Sequence, residues 1–597
     1  MQATFKFANG QPYTPSPFSV VVVGHFSGSA VGKGDTPDPL TTATIDDALA
    51  RTVGTLQFAC PNHLGSGKDL DVSLTVKAFK DLSPGGVAAG VPELAKINEM
   101  VGKIDDVGRG KLTREAFGQW VDANLGGMKA LDEAVRLTMG ADVGGAGGSA
   151  AGGDASGGAA AGGSLLDQIV DAGPAKPATG GGSALGGIIS AIGSGGAAVS
   201  AEFKRAKESA AKVLSAQLDA IIRHETFRGV ERRWRSLKWL AGKMDFREGN
   251  VALKIVDAPR ADLLARFDKV LHKPVYTGHH PTPGLVLVDA DFTTSPADME
   301  LLQTLAERGE SVQTAVLTGI GDGFFPGKSL AQVAKLPDPG TLFRETAFEK
   351  WRSIREKECA RWLAVAANRF LLRDPWTPES ARGVEYTEKV SSADDLLWGS
   401  AAHVIAAACC RSFAKEHWPT EITGYEAGRF DSMSLRDSDG AGSAKIPTEA
   451  MFGEDQAKGL YDAGLITLVV EPNRDSVFVM RAPTVLLPAK TDDDHLNVVN
   501  RRMAQLPYQL LAARLGEEVF HHKNDLTGDG EIKTVHDNWE KFLGSIFAST
   551  GDGAGVAVSV DKDPENPDSG RLLVQLRVRT GKKILKSVDV QFGFYLG

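Results

Sequence analysis

Cysteine is scarce in this chain. Four occur in 597 residues, Cys60, Cys359, Cys409 and Cys410. None falls in a C-x-x-C spacing, so neither a zinc ribbon nor a disulfide scaffold is supported, and a reducing compartment is the simpler inference. The vicinal pair lies in an apolar helical stretch, "AAHVIAAACCRSF", where small buried thiols fit. Excess positive charge is missing too. The 66 Lys and Arg against 75 Asp and Glu leave a net charge of -9, which argues against the basic face that displaces counterions from nucleic acid. At the N-terminus, "MQATFKFANGQPYTPSPF" has no basic segment followed by an apolar core, so no signal peptide is expected. One long uncharged stretch, 178–201, holds only Leu185, Ile188, Ile189, Ile192 and Val199 as strong apolar residues among many glycines. It is too weakly hydrophobic for a membrane span. The expectation is a cytoplasmic protein with no membrane insertion and no nucleic-acid partner. What is present is ordinary for a soluble globular chain: 42% hydrophobic and 24% charged residues.

Complete catalytic constellations are also missing. "NDLTGDGEIK" begins like a calcium loop, with Asp525, Thr527, Asp529 and Gly530 at positions 1, 3, 5 and 6. Position 12 is His536, which cannot supply the two hard oxygens of the usual Glu. "GIGDGFFPGKSLAQ" ends like a phosphate loop in Gly327, Lys328 and Ser329. Asp322 stands where the first glycine belongs, and Pro326 removes a backbone donor. "RHETFR" starts like a zinc helix, but Arg228 occupies the place of the second histidine ligand. Asp289 and Asp291 end an apolar run, "GLVLVDADF", where capping and turn roles are expected. No Ser-His-Asp or Cys-His set can be assembled. The residues therefore assign no catalytic, cofactor-binding or metal-binding side chain, and the chain reads as a non-enzyme.

Composition divides the chain. Residues 144–164 are Gly, Ala or Ser except Asp154, a tract that cannot bury side chains and reads as a flexible linker. The expected organisation is a small α/β domain at 1–140, a Gly/Ala/Ser-rich linker at 141–200 and a large, multi-lobed α/β domain at 201–597. At about 60 residues, the linker allows two bodies that need not touch. In the small domain, "PFSVVVVGHFSG" is a buried strand entering a turn. "LDVSLTVKAF" alternates as a second strand. Ser83 and Pro92 open helices whose apolar positions are Leu94, Ile97, Val101 and Ile104. After the linker, residues 201–244 read as one long helix. Its later part carries an apolar stripe (Phe227, Val230, Trp234, Leu237) and a charged, solvated face. The chain closes on two strands, 572–579 and 587–595. In the linker, the island "SLLDQIV" has Ser164 as a cap and Leu165, Leu166, Ile169 and Val170 on one helical face.

Two stretches resemble the same machine. "FSVVVVGHFSG" with "VSLTVKAFKDLSPGGVAAGVPELAKI" resembles the small subunit of the type VI secretion contractile sheath, with His25 where an acid is common and Leu82 where Phe is common. From about residue 202 onward, "QLDAIIRHETFRGVERRWRSLKWL", "GLVLVDADF", "WRSIREKECARWLAVAANRFLLRDPW", "KIPTEAMFGEDQAKGLYDAGLITLV" and "QLPYQLLAARLGEEVFHHKND" resemble the large subunit. The resemblance implies a contractile tail-sheath-like α/β fold and a bacterial contractile injection system. It implies a structural protomer, a helical homopolymer that surrounds an inner tube protein, meets a baseplate and contracts to propel the tube. It also implies a recycling AAA+ unfoldase, for which Leu165, Leu166, Ile169 and Val170 form a docking face. Strands exchanged between copies are common in such assemblies, and Val588, Val590, Phe592 and Phe594 are the candidate intersubunit strand. The rival readings are a P-loop-like NTPase motor and a calcium-regulated structural protein.

Overall fold

A computed structural model describes residues 5–7, 10, 12, 13, 15–65, 67–126, 128–139, 184–321, 323–438, 444–527, 530–547, 554–581 and 589–596. The island at 165–170 and Val588 lie outside the described residues.

The central strands are β1 (Phe18–Gly24), β2 (Asp38–Leu40), β5 (Val251–Asp257), β6 (Leu285–Phe292), β7 (Val316–Ile320), β8 (Leu363–Ala367), β9 (Arg429–Phe430), β10 (Leu465–Val470) and β11 (Val477–Val479). Between β2 and β5 in the chain lies a separate antiparallel hairpin, β3 (Thr55–Cys60) with β4 (Leu70–Thr75). The nine central strands form one sheet in the order β9-β11-β10-β8-β7-β6-β1-β5-β2. From β10 to β5 every neighbour is parallel, and antiparallel strands finish both edges. The strand read from four consecutive valines is the one between β6 and β5, pairing Val22 with Leu287 on one side and with Ile255 on the other.

That placement explains the valine run. A parallel strand covered on both faces needs apolar side chains in both directions. Val20 and Val22 enter one core and Val21 and Val23 the other, and all four are buried. The first core joins the small region (Leu49, Leu74, Leu94, Ile97) to Trp234 and Leu237 beyond the linker. The second packs the opposite face against Met299, Leu302 and Trp351. The two regions are therefore one interlocked body, and the expectation of bodies that need not touch is corrected: β1 can satisfy its backbone only between strands of the other region.

The helices are α1 (Ile45–Val53), α2 (Pro84–Gly90), α3 (Pro92–Gly108), α4 (Arg114–Asn124), α5 (Asp132–Met139), α6 (Ala184–Ile222), α7 (Glu225–Lys243), α8 (Pro296–Ser311) and α9 (Ala401–Glu416). Ser83 caps α2 by accepting from the Gly86 N–H at 3.2 Å, and Pro92 opens α3, whose Leu94, Ile97 and Ile104 are buried. The single helix expected over 201–244 is two, and the first begins at Ala184, inside the stretch read as linker. The chain breaks at His224, whose Nδ1 accepts from the Thr226 N–H at 3.3 Å while its ring stacks on Phe58 at 4.3 Å. Cys409 and Cys410 lie in α9, fully buried, and burial pushes both thiols up, away from reactivity.

Candidate assembly interface

The end of the chain builds a separate module. It comprises α10 (Leu506–His522), α11 (Ile532–Phe547) and an antiparallel sheet, β12 (Gly555–Lys562), β13 (Leu572–Arg579) and β14 (Asp589–Leu596), in the order β12-β13-β14. In β13, Leu572, Val574, Leu576 and Val578 are buried while Gln575, Arg577 and Arg579 face out. This half-covered pattern is expected of an antiparallel sheet. The module has its own core around Trp539, Phe542 and Leu543. Of the candidate exchange strand, Val590, Phe592 and Phe594 stand opposite Val578, Leu576 and Val574 of β13, and the Phe594 ring meets Trp539 at 5.2 Å. As an edge strand, β14 is hydrogen-bonded to β13 along one side. Its neighbour β13 is paired on both sides and so cannot be offered to another copy without dismantling the sheet.

The N-terminal arm closes over this module. Phe7 stacks on His522 at 4.8 Å, Phe5 and Tyr13 meet Phe542 at 5.3 and 5.2 Å, and the Ser16 N–H reaches Glu518 at 3.4 Å. Burial, with Glu518 beside it, pushes the Tyr13 phenol up and keeps it neutral. Both chain ends thus meet in one aromatic cluster.

Where the two regions meet, the contacts are ionic as well as apolar. The Asp257 carboxylate accepts from the backbone N–H groups of Phe26 (2.8 Å), Ser27 (3.0 Å) and Lys33 (2.8 Å), and so holds the turn after β1. Trp234 donates its indole N–H to the Phe26 carbonyl at 2.9 Å. The charged face of α7, expected to be solvated, is exposed at Lys238, but its arginines are half-buried. Arg232 pairs with Asp291, and Arg228 donates to the carbonyls of Asp394 and Leu396. Glu231 has no exposure and accepts from Arg235 at 2.7 Å and Arg373 at 2.9 Å. Burial alone would raise the Glu231 carboxyl; Arg373 and Arg235 outweigh it and hold it below the usual carboxylate range. Glu388 joins by accepting from Arg373 at 2.6 Å. Asp291 likewise serves an ion pair and Asp289 lies buried, neither acting as the turn cap expected. The i,i+4 spacing of Glu231 and Arg235 was visible in the sequence; Arg373, 142 positions away, was not.

The two tempting loops have structural occupations. Ser329 caps the short helix after it, accepting from the Gln332 N–H at 3.3 Å, and the adjoining hollow is lined by Lys328, Asp394 and Glu449, the last already paired with Arg369 at 2.8 Å. In the calcium-like loop, Asp525 lies 3.6 Å from His522 Nδ1, and Thr527 donates to the Lys523 carbonyl at 2.6 Å. Gly528 and Asp529 lie outside the described residues. Among the described residues, His536, Asp537 and Glu540 come together closely enough to face one ion, but they are surface groups of one helix, with no buried ligand among them.

Comparison with known proteins decides the family. Residues 205–486 match the VipB tail sheath N-terminal domain, and residues 8–133 match VipA of the type VI secretion system. The chain belongs to the type VI secretion sheath family. It fuses small- and large-subunit sequences, in that order, and is a structural sheath protomer. The small-subunit match spans β1 to α4, and the large-subunit match runs from the second half of α6 through β11. The sheath protein TssC1 of Pseudomonas aeruginosa is 24% identical over 348 residues, 55% of this chain and 70% of that one. A chain of the anti-feeding prophage baseplate is 11% identical with a TM-score of 0.35, covering 60% of this chain and 79% of that one. The contracted helical sheath of the same prophage gives 11% and 0.32, covering 57% and 76%. No helix among the described residues is long and apolar enough to cross a membrane.

Proposed function

We propose that this sheath chain polymerises with itself around an inner tube, docks on a baseplate in the bacterial cytoplasm, and contracts to drive the tube outward without breaking a covalent bond. The observation that carries the reading is the pairing of β1 with β5 and β6. Both subunit types are present in one chain and complete one sheet, so a single polypeptide supplies a whole repeating unit. Stored energy would lie in contacts between copies, which have two discrete arrangements. A heterologous contact that does not close propagates into a filament. Residues 1–140 act as the small subunit and 201–597 as the large, with the segment before α6 as their tether.

Two finer assignments belong to the same reading. The island with Leu165, Leu166, Ile169 and Val170 is the docking peptide for a AAA+ unfoldase, ordered by its partner because seven residues cannot hold a helix alone. The β14 edge, with Val588, Val590, Phe592 and Phe594, is the strand by which copies are tied together. Negative-stain microscopy of the purified protein with its inner tube protein tests the whole: long tubes are expected, and a strictly monodisperse monomer at high concentration refutes it.

A further inference from the structure

The N-terminal arm is fastened to the terminal module around one histidine. His522, the last residue of α10, is only 7% exposed. Its Nε2 stands 3.5 Å from Glu518 Oε2, and its Nδ1 stands 3.6 Å from Asp525 Oδ2. Neither nitrogen makes a hydrogen bond among the described residues, and neither does Glu518 Oε2. The arm covers the ring. Phe7 lies on the imidazole with 28° between the two planes, and Tyr13 meets it edge-on at 5.6 Å. The Tyr13 hydroxyl also hydrogen-bonds to Glu518.

A neutral imidazole does not suit this setting. It carries one N–H and one bare lone pair, so in either tautomer a lone pair faces a carboxylate. The imidazolium has two N–H donors, one for each acid, and hydrogen bonds between ions are the stronger kind. Its charge is also drawn to the face of the Phe7 ring. Burial opposes a cation, so the surrounding charges decide. From α10 come Arg514, Glu517 and Glu518, with Arg514 paired to Glu518 at 2.5 Å and to Glu517 at 2.9 Å. The following turn supplies Lys523 and Asp525. His521 meets the ring edge-on at 5.0 Å, α11 meets it with Phe542 at 5.4 Å, and the arm brings the neutral Tyr13. Glu517, Glu518 and Asp525 thus outnumber Arg514 and Lys523, and a proton on His522 brings the cluster to balance.

Docking of the arm takes water from both ring nitrogens, and only the imidazolium can replace it at both with partners in the protein. Histidine is also the side chain whose charge ordinarily changes between about pH 5 and 8. We propose that the arm is a proton-controlled strap: a proton taken up from solvent by His522 fastens it, through Phe7 and Tyr13, over the terminal module, and loss of that proton loosens it. The docked state then binds more protons than the released one, so docking tightens as pH falls and weakens as pH rises. The device works within one chain and does not depend on polymerisation.

The test is amide hydrogen exchange of the intact chain at pH 5.5 and pH 8.0, read by mass spectrometry as protection factors, which remove the intrinsic effect of pH on exchange. Protection of the peptide that covers the arm should be about tenfold higher at pH 5.5, while the peptide that covers β1 keeps the same protection at both. In His522→Gln, whose amide takes up no proton, the arm should be equally protected at the two pH values. Asp525→Asn, a change at an exposed position, should leave the fold intact and shrink the difference. A wild-type arm with the same protection at both pH values overturns the proposal without any variant. A difference that persists undiminished in His522→Gln and Asp525→Asn overturns it as well.

Discussion

The strand β1 and the three-stranded sheet at the far end of the chain make opposite bargains with the rest of the molecule. By composition β1 belongs to a separate small domain, yet it has a strand of the other region on each side and its valines are divided between two cores. The terminal sheet belongs by sequence to the large region, yet it keeps its own core around Trp539 and Phe542 and leaves β14 at an edge. Sequence continuity and structural independence are thus separate properties. A break in composition marks where the chain can be cut; the pairing of strands decides what can then survive alone.

The strongest way to break the contrast is to express residues 201–597 without 1–140. Losing four buried valines removes about 6–12 kcal/mol, comparable to the whole stability of a domain. The fragment should be insoluble or unfolded by circular dichroism, and co-expressed 1–140 should rescue it and co-purify. A soluble, cooperative melt of the fragment alone would show that β1 is dispensable.

Next in size is Glu231→Gln, which leaves Arg373 and Arg235 buried against a neutral amide. The expected cost is about 3–5 kcal/mol in denaturant titration. The sign of the pH effect follows from the depressed carboxyl. Its stabilisation is complete above the unfolded value of about 4.3 and is lost as pH falls through the lower folded value. The wild type should therefore lose part of its advantage over the variant below about pH 4.3, and a gap that is constant with pH would remove Glu231 from the account.

Removing residues 587–597 should leave the central body folded, with its melting temperature within about 3 °C of the intact chain, while tube formation falls sharply. Normal tubes would mean that β14 ties no copies together. Smallest in effect on the fold is Leu165→Asp with Ile169→Asp: unchanged melting and assembly, with binding of a AAA+ unfoldase to contracted sheaths lost in a pull-down. Retained binding would end the docking assignment.

Local pattern was legible, and long-range partnership was not. Four consecutive valines announced a strand buried on both faces; nothing near them announced Ile255 and Leu287 as neighbours, because parallel pairing carries no turn signal. The apolar stripe of α7 was read correctly, and Phe227, Val230, Trp234 and Leu237 are all buried. Its charged side was read as solvated, which holds for Lys238 but not for Arg232 and Glu231, whose counter-charges lie on segments 59 and 142 positions away. The break at His224 escaped because neither glycine nor proline marks it. In β14 the alternation of Val590, Phe592 and Phe594 was legible. It predicts pairing with this chain's own β13 as well as with a neighbour, so the pattern cannot choose between them. The family was readable from blocks of residues scattered along the chain, which survive where single motifs fail.

The insertion of β1 also sets a timetable. Phe26 must reach Asp257, 231 positions later in the chain. At about 5–20 residues per second on the ribosome, the valine strand waits roughly 10–50 s for both of its neighbours to be made. During that interval it is an apolar segment with open hydrogen-bonding edges, a hazard for mispairing with other nascent chains. Carrying both sequences in one chain converts the later encounter from a search through the cell into one within a single molecule. For this sheath protein, fusing the two sequences guarantees equal numbers of both, and it shortens the time for which the first is left without the second.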